Sequence, residues 1–223
     1  MACKRTGPDT ELFIVEGDSA ARSVRRARNP DFQAVFAMQG KPMNATKCSI
    51  GQLHGNAQFA ALIHTLGVQR TFGARGEPQA GSTSELNYGR VNLLFDPDPD
   101  GIHGRTLMLL FFYRWLPSLL DEGRVSDIHA PQWEITGVGM EQPAYAATPD
   151  HMREVRAALS EQGITGLQWK CFRGLGSVDT ELLESRCVNP TTRESQVLTS
   201  GDAERALALF EQMRVLGAQA PGD

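Results

Sequence analysis

Apolar residues along this chain fall into two kinds of run. The first is short and nearly continuous: ELFIV (11–15), AVFAM (34–38) and VNLLF (91–95), each ending at polar or glycine-containing residues. Runs of this length, bounded by turn residues, predict buried strands. RVSDIHA (124–130) reads as a fourth. The second kind recurs with helical spacing. SAARSVRRAR follows the first strand, with Asp18 or Ser19 as N-cap and Asn29-Pro30 as the stop. NAQFAALIHTLG (56–67) is amphipathic and closes on Gly67, and HGRTLMLLFFYRWLPSLLDEG runs as a long helix to about Pro117, with a shorter piece to Gly123. Strand and helix alternate, which predicts an α/β fold with a central parallel sheet and helices on both faces.

The pattern changes near residue 131. A connector containing Gly and Pro leads to a helix over 150–161, then ITGLQWKCF and RGLGS, then helices over 179–186 and about 202–216. The expected organisation is therefore a sheet domain over 1–130 and a small α-rich C-terminal appendage over 131–223. Residues 73–90, rich in Gly and Ser, read as a surface loop. There is no internal repeat.

At 223 residues the chain is long enough for one large domain with an appendage. No apolar run approaches the roughly 20 residues of a membrane span, and MACKRTGPDTE has no apolar signal region. Cys3, Cys48, Cys171 and Cys187 are widely spaced and form no CxxC pair, which suits free thiols in a reducing cytoplasm. The net charge of −4 excludes bulk electrostatic binding of nucleic acid, but residues 1–50 carry eight Lys/Arg against five Asp/Glu. A local basic face is compatible with that balance.

Candidate chemistry concentrates in LLFDPDPDGIHGRTL (93–107). In extended backbone, residues two apart share a side and lie roughly 6–7 Å apart. Pro97 and Pro99 disfavour helix before them, so Asp96, Asp98 and Asp100 are expected as a stiff acidic edge. Such carboxylates repel one another, and a hard divalent cation held through one or two of them relieves that, which fits Mg²⁺. An EF-hand is excluded because the twelfth position counted from Asp96 is Leu107 and not glutamate. A helix cap would account for Asp100 alone. Glu16 sits past another strand's carboxyl end, where open α/β sheets place their ligands, so it is expected to meet the Asp triplet. Arg22, Arg25 and Arg26 share one helical face, and Lys41 follows the second strand. With His103 and Arg105 after the acidic loop, they are candidates for contacts to DNA phosphates.

Glu16-Gly17-Asp18-Ser19-Ala20 followed by Asp96-x-Asp98-x-Asp100-Gly101 resembles the Toprim domain of type II DNA topoisomerases, most closely the B subunit of DNA gyrase and the E subunit of topoisomerase IV. ELFIVEGDSA, QGKPMNATK, FDPDPDGIHGRTLMLLFFYRWLP and FRGLGSVDTELLESRCVNPTTR occur in the family's order, over about residues 10–130 and 165–215. The resemblance implies a Rossmann-like Toprim sheet. It further implies Mg²⁺ on Glu16, Asp96 and Asp98 with support from Asp100, and Glu16 as general acid/base in strand cleavage and religation. The cleaving tyrosine would come from a gyrase A-like breakage-reunion subunit. Gln39 stands where the family commonly has a basic residue, Arg173 and Ser177 where it has Lys and Glu, and the prolines of the Asp motif are unusual. Neither an ATPase module nor a breakage-reunion domain is expected in these residues. Three functions are compatible with this pattern: a topoisomerase Toprim module, a stand-alone Toprim DNA-binding or regulatory protein, and a Toprim nuclease.

Overall fold

The computed structural model describes residues 1–68 and 86–219, the side chains of 213–219 excepted. The loop expected over 73–90 lies mostly outside the described residues; its last three positions are strand. Five strands form the main sheet: β1 (Gly7–Glu16), β2 (Gln33–Met38), β3 (Tyr88–Leu94), β4 (Val125–Ile128) and β8 (Ser195–Val197), in the order β2-β1-β3-β4-β8. The first four are mutually parallel and β8 is antiparallel to β4. This is the mixed α/β architecture that the alternating pattern predicts.

Helices cover both faces. α1 (Gly17–Ala27) packs Ala20, Val24 and Ala27 with Phe13 and Val15 of β1 on one face. The other face carries α2 (Ile50–Gly55), α3 (Ala57–Leu66), α4 (Pro99–Trp115), α5 (Pro117–Asp121) and α8 (Ser200–Gln219). On α4, Leu107 to Phe112 are all buried, so this helix is apolar nearly all round and is enclosed by the sheet and its neighbouring helices. Phe111 lies 4.9 Å from Phe59 and 5.2 Å from Phe112, ring to ring. Such pairs add about 0.5–1.5 kcal/mol beyond their burial.

Three features differ from the sequence expectation. α1 begins at Gly17 with Glu16 in the cap position and no side-chain cap, not at Asp18 or Ser19. The strand hands straight to the helix because Gly17, at φ +72°, turns in a region glycine enters without strain. α2 was not anticipated; its signal is the capping box Ser49-x-x-Gln52, in which the Gln52 amide donates to Ser49 Oγ and the Gln52 side chain accepts from the Ser49 amide. α4 starts at Pro99, four residues before its expected start. Proline lacks an N–H and has a helical φ, so it suits the first helical position and starts the helix.

Beyond residue 130 the expected helices are joined by a second sheet. β5 (Trp133–Val138), β6 (Ala144–Ala146) and β7 (Thr165–Cys171) pair antiparallel in the order β6-β5-β7. α6 (Pro149–Glu161) covers it through Met152 and Leu159 against Ile135. The chain then returns to the main sheet. A 3₁₀ turn at Leu175–Ser177, α7 (Thr180–Leu183) and a π turn at Glu184–Val188 pack on the α1 face, and β8 and α8 close the molecule against β4 and α4.

Candidate metal centre

The strand order sets where the chemistry collects. From β1 the chain passes through α1 to β2 on one side, and from β3 through α4 to β4 on the other, so the sheet's winding reverses between β1 and β3. Ligands of open α/β sheets bind at such a switch point, beyond the carboxyl ends of the strands. Val15 lies opposite Leu94 across this pair, so Glu16 and Asp96 leave neighbouring strands within one or two residues of the same level.

Glu16 is half-buried, and no hydrogen bond or ion pair engages its carboxylate among the described residues. Burial first, then the charges of Asp96, Asp98 and Asp100, push it above the usual carboxylate range, with Lys41 opposing. Asp96 is also pushed up, by burial and by Asp98, against the opposing hydrogen bond from the Leu175 N–H to its Oδ1 at 2.8 Å. Asp98 caps α4, its Oδ1 accepting from the Gly101 N–H at 2.8 Å. Its extended backbone (φ −83°, ψ 170°) is what a residue before proline favours. Asp100 lies in the first turn of α4 and pairs with Lys41 at 3.1 Å. The extended acidic edge expected from the sequence is thus confined to Asp96–Asp98, and Asp100 is helical.

The remaining candidates separate. Arg22, Arg25 and Arg26 are exposed on the solvent side of α1, with no ion pair among the described residues. Lys41 joins the acidic group. His103 instead turns to α8, its ring 5.7 Å from Phe210. Arg105 is held at 2.6 Å by Asp127 of β4. His129 shares the same Asp127 oxygen at 3.3 Å. Sequence reading missed this second polar group at the strand ends, because Asp127 in β4 and His129 just past its end belong to a short segment with no motif of its own. It also missed the Leu175 N–H, a backbone donor that no side-chain pattern reveals.

Among the described residues, no three His, Cys, Asp or Glu side chains converge as a ready-made metal cage. A magnesium ion rarely needs one: it is usually held by one or two carboxylates and keeps several waters. The donor set here is all oxygen. Glu16, Asp96 and Asp98 carry mutually repelling charge that a cation would relieve, so the residues fit that ion.

A doubly wound sheet with a glutamate at the end of β1 and spaced aspartates after β3 defines an α/β module with an acidic edge at its switch point. The chain belongs to the Toprim domain family, whose model matches residues 11–129. It is 37% identical over 202 residues to the B subunit of DNA gyrase from Thermotoga maritima, covering 91% of this chain and 30% of that protein. To the gyrase B subunit of Thermus thermophilus it is 33% identical over 213 residues (95% of this chain, 32% of that protein). To the B subunit of DNA topoisomerase 4 from Streptococcus pneumoniae it is 32% identical over 198 residues (88% and 29%). The chain therefore spans less than a third of the length of these relatives. No described helix is long and apolar enough to cross a membrane.

Proposed function

We propose that this chain is the cation-binding Toprim module of a type II DNA topoisomerase, working on DNA with a tyrosine-bearing breakage-reunion subunit. The observation that supports the proposal is the position of Glu16 and Asp96 at the carboxyl ends of the neighbouring strands β1 and β3, with the charge of Asp98 acting on both. Glu16, Asp96 and Asp98 would hold Mg²⁺, with Asp100 behind them. The ion's contribution when bound is to stabilise negative charge developing on a phosphodiester. Glu16 is the group assigned the proton chemistry: as general acid and base it would give a proton to a leaving oxygen and take it back on religation. Lys41 and the arginines of α1 contribute cations on the flank for backbone phosphates, which position DNA without reading its sequence.

Magnesium titration by calorimetry tests the first half. The native chain is expected to bind, and the Asp96→Ala, Asp98→Ala double variant to lose binding; unchanged affinity in that variant contradicts the proposal. The second half is tested by combining the chain with a breakage-reunion subunit and supercoiled plasmid. Cleavage complexes containing the chain, lost in Glu16→Ala, are expected. Inhibition without cleavage would instead indicate a regulatory protein, and metal-dependent nicking by the chain alone a nuclease.

A further inference from the structure

We propose that the Gly174-Leu175-Gly176 segment is a working part of the cation site, with the Leu175 N–H as the positioning group for Asp96 and Gly174 as the space that carboxylate needs. This rests on the reading of the carboxylates as a cation site. The contact joins residues 79 apart in sequence: the Leu175 N–H donates to Asp96 Oδ1 at 2.8 Å. A bare carboxylate on a loop can rotate, whereas one tied by a backbone donor presents a fixed set of lone pairs. Groups that orient a metal ligand in this way shape affinity almost as much as the ligand does.

Gly174 supplies the other half of the device. Its φ is +134°, and a Cβ there would lie 2.5 Å from Asp96 Oδ2 and 2.9 Å from Cγ. Any side chain would push the carboxylate away. The segment is itself anchored. Ser177 Oγ donates to the Gly174 carbonyl at 2.8 Å and accepts from the Arg173 N–H at 3.0 Å. The Leu175 side chain is fully buried with Phe172, Val178 and Leu183. A Cβ on Gly176 would meet Ser19 Oγ at 2.8 Å, so the turn is wedged against the start of α1. Leu175 acts through Asp96 and is a positioning residue, not a catalytic one.

The test uses the full chain with Mn²⁺ and Mg²⁺ as probes. Gly174→Ala is expected to weaken Mn²⁺ binding by about tenfold or more. Gly163→Ala is the control for backbone strain, since Gly163 has φ +77° with nothing within 4 Å of an added Cβ; it should bind as the native chain does. Ser177→Ala, which unfastens the turn without adding an atom near Asp96, should give a smaller loss in the same direction and serves if Gly174→Ala does not fold. In ¹⁵N-labelled protein the Leu175 amide resonance should shift in Asp96→Asn, and in the native chain on adding Mg²⁺. Native Mn²⁺ affinity in both Gly174→Ala and Ser177→Ala, or a Leu175 amide unmoved by Asp96→Asn, would overturn the inference. If the native chain binds neither cation, the proposed function falls separately, and the Asp96→Asn shift still decides whether Leu175 holds Asp96.

Discussion

Replacing Arg193 with methionine should be among the most destabilising single changes in this protein. Arg193 Nη1 and Nη2 donate to the two carboxylate oxygens of Glu11 at 2.8 and 2.6 Å, and Gln33 Nε2 donates to Glu11 at 2.9 Å. The Arg193 and Glu11 side chains are only 5% and 7% exposed, so solvent screens the pair little. Burial by itself would raise the Glu11 carboxyl, but the Arg193 hydrogen bonds and charge, helped by Gln33, outweigh it and hold the group below its ordinary value. Without Arg193 the carboxylate keeps only the Gln33 donor. Breaking a buried pair from one side costs about 3–5 kcal/mol. For a domain of this size that is a fall of roughly 6–20 °C in melting temperature. The Glu11→Leu, Arg193→Met double variant removes both charges and should recover most of the loss, because Gln33 still donates to the Val188 carbonyl at 2.9 Å.

The sign of the pH dependence follows. In the native chain the depressed Glu11 contributes stability above its unfolded value near 4.5, lost as pH falls through the folded pKa. In Arg193→Met the stranded carboxylate has its folded pKa raised, so acid relieves the variant first. The gap between native and variant should be widest near neutral pH and narrow steadily as pH falls toward 4.5. Urea denaturation of the native, single and double variants across that range is the assay. A single variant costing less than about 1 kcal/mol, a gap that does not narrow in acid, or a double variant as unstable as the single one would refute the reasoning.

Three further outcomes are expected. Asp98→Ala should destabilise the fold by about 1 kcal/mol in chemical denaturation apart from any effect on cations, because its Oδ1 caps α4 through Gly101; no loss would show the cap to be idle. His129 is pushed up chiefly by its hydrogen bond to Asp127, with burial and Arg105 opposing; its stabilisation should be complete below about pH 6.5 and fade as pH rises through the folded pKa, and a His129→Gln variant should lack that part of the stability–pH profile. The Cys187 thiol, fully buried and pushed up to about 12 by desolvation, should resist alkylation at pH 8 until the protein is unfolded, whereas exposed Cys171 should react in the native state; mass spectrometry of partly alkylated protein reads both.

Much of the fold was legible because its signals are local. Continuous apolar runs marked β1, β2 and β3, and Asn56 and Gly67 marked the two ends of α3. The nearness of Glu16 and Asp96 was legible because the carboxyl ends of adjacent parallel strands lie side by side whatever their separation in sequence. The missed features have different causes. Pro99 looked like an obstacle to helix, yet at the first turn it lacks only an N–H that would have no partner there. The strands of the small sheet carry weak signals: β7 is mostly exposed, and in β5 only Ile135 is fully enclosed. Arg105 could not be read from its sequence neighbours as Asp127's partner, because the ion pair spans two elements 22 residues apart.

The contacts missing from the sequence reading share a direction. Leu175 reaches Asp96 at the carboxyl end of β3, and Arg193 reaches Glu11 within β1. Residues 172–193 therefore grip the two strands on either side of the switch point, one at the acidic site and one five residues before Glu16 along the same strand. Phe172, Leu175, Val178, Leu183 and Val188 fill the apolar layer between these grips, together with Phe13, Val15 and Val24. Strain introduced in this segment has a packed, hydrogen-bonded route to both Glu16 and Asp96, while the small sheet of β5, β6 and β7 has its own apolar cluster around Ile135. Substitutions on the exposed Trp169 or Val138 of that sheet should therefore leave cation affinity unchanged, even where they alter surface properties. Comparable losses of Mn²⁺ affinity from Trp169→Ala and Gly174→Ala would mean that the site responds to general loosening of the chain, and not to the specific hold on Asp96.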